Sequence, residues 1–303
     1  VDAVGYVSIF PYAVVSISTG IVLCMDQADR RDQSRDLWRA AGSNWASHAE
    51  RSDAAMSSVV DRLIERANPQ PGQTVLDVAA GSGGLGHRIS NLVGQTGQVI
   101  STDFAPEMVE SARRLGSSQG LENVDYRILD AEQMDMDDNS VDVVVSKSGY
   151  MLMSDPVAAL RETRRVLRSA GRLAFSVFGT AEENPHLSTP IGVLVRLGHL
   201  PAQLAADGPP AFSMGEPSRI VELVEASGFA VPELECLEFA YVYGDDEDLW
   251  HSILQTPHGA AVRRASEVER VEAREAVVRE LARYRDGDGS YSLPAKVWVA
   301  SVC

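Results

Sequence analysis

Basic residues are scarce: 27 lysines and arginines stand against 43 aspartates and glutamates, a net charge of −16 at pH 7. Non-specific nucleic-acid affinity comes from Lys and Arg displacing condensed counterions, so this balance excludes a duplex-binding protein, and no local basic patch offsets it. Cysteine is scarcer still, with Cys24, Cys236 and Cys303 far apart in the chain. No pair has the spacing of a zinc knuckle or a disulfide framework, which fits a reducing cytoplasm. Aromatic residues make up 6% of the chain, and there is no internal repeat, low-complexity tract or clear interdomain linker. What remains, at 45% hydrophobic and 23% charged over 303 residues, is an ordinary globular composition, which excludes disorder, fibres and miniproteins. A small-molecule partner is the expectation, with the chain a monomer or a homodimer.

One uncharged run, Ala3 to Met25, is long enough to be weighed as a membrane span or a signal peptide. Asp2 in place of a basic flank argues against a signal peptide. Pro11, Gly20 and the serines and threonines between them dilute the run, and neither end carries a basic anchor, so no stable membrane insertion is expected. The polar sequence MDQADRRDQSRDLW that begins at Met25 has the character of an enzyme's start. Residues 1–30 are therefore expected to be an N-terminal extension, with translation beginning at Met25 and residues 1–24 upstream sequence read through; the alternatives are a disordered or surface-packed extension and, last, a membrane anchor.

Beyond residue 30, short β-branched runs alternate with helical patterns, the signature of a parallel sheet with crossover helices. Polar, helix-compatible sequence from Asp32 to Ala67 ends at Pro69 and Pro71-Gly72. Thr74 to Val78, Gln98 to Asp103, Val124 to Leu129, Val141 to Ser146 and Arg172 to Phe178 read as five strands. Pro106 and Asp155-Pro156 mark helix starts, and Ser169-Ala170-Gly171 is expected to turn the chain into the fifth strand. Residues 180 to 215 are rich in proline and glycine around an apolar stretch, Ile191 to Leu204, with no clear strand. Pro217 to Ser227 reads as a short helix closed by Gly228, Cys236 to Tyr243 as a strand, and Asp246 to Leu254 as a helix. Ala260 to Arg285 reads as one long helix with Val268, Val271, Val278 and Leu281 inward, and Tyr291 to Val302 as the last strand. The expected plan is a single domain over 31–303. It comprises a helical cap (31–70), a core (71–180), a lid region (181–235) and C-terminal strands and helices (236–303).

Gly81-x-Gly83-x-x-Gly86, between a strand and a helix, matches a dinucleotide-binding fingerprint. Its neighbours point elsewhere. Asp77 lies inside the first strand, four residues before Gly81. A carboxylate there repels a pyrophosphate approaching the helix N-terminus and suits a cationic amino acid and a sulfonium. The charge logic therefore favours S-adenosylmethionine over NAD. Asp103, at the tip of the second strand, is placed to accept from both ribose hydroxyls, and Asp130, after the third, from an adenine amino group.

The segments VLDVAAGSGG (75–84), VISTDFAPEMVESAR (99–113), ILDAEQM (128–134), VDVVVS (141–146) and ALRETRRVLRSAGRLAFSVF (159–178) resemble class I S-adenosylmethionine-dependent methyltransferases. Similarity is greatest to the small-molecule branch, which includes quinone-biosynthesis C-methyltransferases and natural-product O- and N-methyltransferases. The resemblance implies a Rossmann-like, seven-stranded, mostly parallel sheet with an antiparallel final strand and helices on both faces. It implies a cofactor site of Asp77, Ala79, Gly81, Ser82, Gly83, Asp103, Phe104, Met108, Asp130, Ala131 and Ser146. Gly81 and Gly83 would lie against the methionine part, Met108 or Phe104 against the adenine face, and Ser146 would face the methyl group. Ala80, where many relatives carry cysteine, and Ser169-Ala170-Gly171, in place of Pro-Gly-Gly, depart from the pattern.

Further residues invite sharper readings. Asp135-x-Asp137-x-Asn139 imitates a calcium loop, but Ser140 replaces the required glycine and Ser146 the bidentate glutamate, so no metal is expected. The six histidines have no partners in sequence and read as surface or structural residues. Tyr150 and His186, just after the fourth and fifth strands, are the candidates for a catalytic base. Trp38 and Trp45 would cover the cofactor or anchor the leading helices. Ile191 to Leu204, with Phe212 and Met214, forms either a lid over the acceptor or plain packing on the sheet edge. The expected activity is methyl transfer to an apolar small molecule. The alternatives are a methyltransferase fold used for cyclisation or binding, and an NAD-dependent oxidoreductase. Arsenite methylation is excluded for want of clustered thiols.

Overall fold

Runs such as Val143-Val144-Val145 and Val75-Leu76 are at most 1% exposed, which requires cover on both faces of the strands that carry them. Parallel strands joined by crossover helices meet that need. The computed structural model describes residues 51–202 and 210–303. Trp38, Trp45, Leu204, the Ala3–Met25 run, Met25 itself and the first half of the expected 31–70 cap lie outside the described residues.

Helix α1 (Ser57–Ala67) leads into β1 (Thr74–Val78), α2 (Gly84–Val93), β2 (Gln98–Asp103), α3 (Pro106–Ser118), β3 (Val124–Ile128) and β4 (Val141–Lys147). Then come α4 (Pro156–Val166), β5 (Leu167–Phe178), α5 (Pro185–Arg196), α6 (Pro217–Ala226) and β6 (Glu233–Tyr243). The chain ends in α7 (Asp246–Gln255), α8 (Gly259–Arg263), α9 (Glu267–Leu281) and β7 (Tyr291–Val302). The seven strands form one sheet in the order β3-β2-β1-β4-β5-β7-β6. β1 to β5 are mutually parallel, whereas β7 runs antiparallel to both β5 and β6. The Rossmann-like sheet with its reversed final strand is thus as the sequence implies. β3, at one edge, is half-buried or exposed along its length and carries Asp125 and Arg127, charges that discourage pairing with another chain.

The strand order reverses between β1 and β4. After β1 the chain steps outward to β2 and β3, then returns to lay β4 on the other side of β1. Helices that follow β1 and β4 must leave in opposite directions, which opens a crevice at the carboxyl tips of these strands. The start signals read from sequence hold here. Pro106 and Pro156 occupy the first turns of α3 and α4, and the Asp155 side chain caps α4 by accepting from the Ala158 amide at 2.9 Å.

Two expectations are corrected, and a further segment gains a helix. Ser169-Ala170-Gly171 is not a turn before β5: the strand begins at Leu167 and carries these residues in a bulge, its register against β4 jumping from Val141–Leu167 to Val143–Arg172. Residues 180–215, read only as lacking a clear strand, add α5, with Pro185 at its start and Pro190 inside it; burial of Ile191, Val193 and Leu194 outweighs the lost hydrogen bond. The single helix expected over 260–285 is two, α8 and α9, broken by a capping box in which Ser266 and Glu269 satisfy each other's backbone amides. The break turns Val268 and Val271 outward, 78% and 45% exposed, and Ala273, Ala276, Val277 and Leu281 inward.

Candidate functional site

The tips of β1, β2 and β4 converge because their register is fixed by burial. Val78 of β1 lies opposite Thr102 of β2, and the Ala80 amide donates to the Thr102 carbonyl at 2.8 Å. This holds the glycine loop over the end of β2. The Oδ2 of Asp103 accepts from the Gly81 amide at 3.0 Å, and its Oδ1 from the Ala105 amide at 3.0 Å. The sequence-predicted pair Gly81 and Asp103 is therefore in direct contact, with Asp103 8% exposed at the mouth of the crevice.

Asp77 is deeper. At 1% exposure, its Oδ2 accepts from the Gly86 amide at 2.9 Å near the start of α2. Burial pushes its carboxyl up to about 7, against the opposing pull of that amide and of Lys147. Asp103 is pushed up to about 6, also by burial, with the Ala105, Gly81 and Phe104 amides pulling it down. Two buried carboxyls held by amides at adjoining strand tips form an acidic wall that a cation would stabilise.

The backbone between them has little room. Gly83 has φ of +85°, and a Cβ there would meet His87 Nε2 at 2.7 Å and the Ala112 methyl at 3.1 Å. After β4, a Cβ on Gly149 would lie 2.5 Å from Ser146 Oγ and 2.8 Å from the Ala79 methyl. Ala79 and Ser148, after β1 and β4, take φ of 53° and 59°, positions costly for a residue with a Cβ. Strained backbone at the two tips flanking the crevice is a pattern of functional sites.

Other predicted residues are placed as follows. Ser146 is fully buried and donates to the Val78 carbonyl at 2.8 Å, so its hydroxyl joins β4 to β1. Ser82 is 9% exposed in the glycine loop, and Ala131 is half-buried on the loop after β3. Asp130 caps its own turn, accepting from the Glu132 amide at 2.9 Å. Met108 is buried in α3 and Phe104 is half-buried at the β2 tip. Phe212 is half-buried and Met214 fully buried, and Ser213 Oγ donates to the Met151 carbonyl at 2.8 Å, so this part of the lid region is packed onto the turn after β4.

The two candidate bases separate. The Tyr150 hydroxyl is fully buried 2.6 Å from Thr163 Oγ1, and burial raises its pKa well beyond the ordinary tyrosine value, an environment opposed to proton acceptance. His186, half-buried at the start of α5, stacks on Tyr241 with ring centroids 4.2 Å apart and lies 5.5 Å from the Phe178 ring. Phe239 completes this wall, 5.5 Å from Tyr241.

Sequence reasoning missed Asp53 and Lys147. Lys147, the last residue of β4, is ion-paired with Asp53, which lies against Gly84 at the start of α2. The only signal was a lysine ending a valine-rich strand at the switch point. At the opposite, amino-terminal edge of the sheet, a cleft of about 560 Å³ opens between Arg62, Arg66, Arg172 and Glu233. It lies across the sheet from the acidic wall and is no part of this site.

Residues 69–203 match the family model described as a methyltransferase domain. Aklanonic acid methyltransferase of a Streptomyces species is 34% identical over 146 residues, covering 47% of this chain and 66% of the relative. The ubiquinone/menaquinone biosynthesis C-methyltransferase of Shewanella frigidimarina is 37% identical over 118 residues, 39% of this chain and 47% of the relative. The chain thus spans about half to two thirds of the curated relatives it matches. Among solved structures, the [4+2]-cyclase SpnF superposes with a TM-score of 0.58 at 16% identity, covering 89% of this chain and 94% of the other, a likeness of fold.

Proposed function

We propose that this chain, whose residues 69–203 form a methyltransferase domain, transfers the methyl group of S-adenosylmethionine to an apolar aromatic small molecule of the quinone or polyketide kind. The observation that carries the reading is the acidic wall of Asp77 and Asp103 across the crevice at the switch point. A pyrophosphate cofactor would meet repulsion there, whereas a cationic one relieves it. The donor set suits the group: Asp103 accepts the Gly81, Ala105 and Phe104 amides, and a carboxylate's roughly four lone-pair sites leave it one more for a ribose hydroxyl.

When bound, the sulfonium supplies an already activated methyl group. The chain's residues then have three tasks. Gly81, Ser82 and Gly83 hold the amino-acid end; Asp103, Phe104 and Met108 hold the nucleoside, with Asp130 and Ala131 at the base's edge. Asp77 tunes the charge of the wall from behind. The ring wall of Phe178, His186, Tyr241 and Phe239 gives the acceptor an apolar surface and keeps water from the reacting centre. The similarity to aklanonic acid and ubiquinone/menaquinone methyltransferases supports an aromatic acceptor.

Incubation with a methyl-labelled donor and a panel of hydroxylated quinones, naphthoates and aromatic polyketides, read by mass spectrometry, tests this reading. One product gaining a single labelled methyl group is expected. Tight donor binding with no labelled product from any acceptor would favour use of the fold for cyclisation or binding instead.

A further inference from the structure

Lys147 is set where the donor residues have no use for it. It ends β4 at the switch point, its side chain 19% exposed, and its ammonium is paired with Asp53, itself 31% exposed. The partner is not a chance surface acid, because three consecutive residues of its segment each meet a different element. Arg51 holds Asp248 of α7 through two hydrogen bonds, one of 2.9 Å, with its guanidinium 5.4 Å from the Tyr243 ring. Ser52 lies beside the Tyr241 hydroxyl of β6, and Asp53 takes Lys147 of β4. Residues 51–53 are thus a strap across the carboxyl edge of the sheet.

The strap joins a cation to an aromatic surface. Tyr241, beside Ser52, stacks on His186 and adjoins Phe239, while the next strap residue holds Lys147. Asp53 is close enough to both to act on the Tyr241 hydroxyl as well as on Lys147, so the ring wall and the ammonium share one neighbour in the strap. An ammonium has three N–H donors, and among the described residues Asp53 accepts one, which leaves donors for a ligand beside the wall. Hydrogen bonds from a charged donor to a charged acceptor are roughly twice as strong as neutral ones, which gives such a position its selectivity.

We propose that Lys147 is the specificity-determining residue of the acceptor site: held by Asp53, its ammonium receives an ionised oxygen, a carboxylate or phenolate, borne by an aromatic acceptor. This rests on the methyl-transfer reading and sharpens its substrate class from apolar aromatics to aromatic oxyanions. An oxygen that arrives ionised asks no residue to take its proton, which accords with the sequestered hydroxyl of Tyr150. A lysine that merely balanced the charges of Asp53 and Asp77 would show no preference among acceptors, which separates the two roles.

The test is calorimetric titration of the full chain, saturated with S-adenosylhomocysteine, with 2-naphthoate and with the isosteric neutral 2-naphthamide. Wild-type protein is expected to bind the naphthoate about tenfold more tightly than the amide. Lys147→Met should remove that preference while leaving naphthamide affinity within about twofold, and Lys147→Arg should restore most of it. Asp53→Asn should weaken naphthoate binding by a smaller factor. Melting curves identify any variant that fails to fold, and Lys147→Arg with Asp53→Asn then carry the comparison. Equal loss of both probes in Lys147→Met, no naphthoate preference in the wild type, or binding of neither probe would overturn the proposal. So would a Lys147→Met effect confined to S-adenosylhomocysteine affinity, which would place the lysine on the cofactor. Failure of the wild type to bind S-adenosylhomocysteine would instead overturn the methyl-transfer reading beneath it.

Discussion

Asp103 Oδ2 lies 3.0 Å from the Gly81 amide, so the carboxylate that ends β2 also shapes the glycine loop after β1. With Oδ1 on the Ala105 amide, one side chain satisfies donors on both walls of the crevice. Removing it has two consequences. Asp103→Ala leaves buried amides without acceptors, at a cost of about 1–3 kcal/mol each, partly offset by relief of the buried carboxyl. It also removes the acceptor proposed for the ribose. Asp103→Ala should therefore lower S-adenosylhomocysteine affinity by at least about tenfold, read by calorimetry, with a drop in melting temperature of a few degrees.

The raised carboxyls of Asp77, about 7, and Asp103, about 6, make both stability and binding depend on pH. From an ordinary value of 3.8, each is more readily protonated when folded, so its contribution to stability is complete below about pH 4. That contribution is lost as pH rises through about 6 for Asp103 and about 7 for Asp77. A cationic ligand favours the ionised carboxyls and so has the opposite slope. The unliganded chain is expected to melt at a lower temperature at pH 8 than at pH 5.5, while S-adenosylmethionine affinity rises over that interval. Calorimetry at pH 6.5 in buffers of different ionisation enthalpy should show net proton release on binding.

Gly83 combines a φ of +85° with a wall of His87 and Ala112. In Gly83→Ala, the left-handed conformation costs roughly 1–2 kcal/mol, and the new methyl must also displace the His87 ring. The variant should melt several degrees lower and lose most cofactor affinity, measurable by differential scanning fluorimetry with and without S-adenosylhomocysteine.

Tyr150→Phe separates a structural hydroxyl from a catalytic one. The bond from Tyr150 to Thr163 is worth about 0.5–1.5 kcal/mol, and Thr163 Oγ1 keeps its bond to the Ala159 carbonyl. The variant should lose that much stability while its kcat stays within about twofold of wild type. A large fall in kcat with an unchanged pH profile of stability would return Tyr150 to the catalytic site.

The sheet was legible because Val75-Leu76 and Val143-Val144-Val145 must be covered on both faces, and because Gly81 to Gly86 marks where β1 gives way to α2. Asp103 was legible for the same reason: a carboxylate ending a buried strand has few other places to be. α5 was hidden because Pro185 and Pro190 read locally as breakers, whereas the packing of Ile191, Val193 and Leu194 that overrides them is tertiary. The end of α8 could have been read from Ser266 and Glu269, a capping box written in the sequence. Asp53 and Lys147, 94 residues apart, meet only through the switch between β1 and β4, and no local pattern joins them.

The central claim, a cationic nucleoside cofactor against the wall of Asp77 and Asp103, is tested most directly by parallel calorimetric titrations of the full chain with S-adenosylmethionine and NADH. The account predicts saturable one-to-one binding of S-adenosylmethionine, lost in Asp103→Ala, and no binding of NADH. Saturable NADH binding by a folded sample, with none for S-adenosylmethionine, would contradict it.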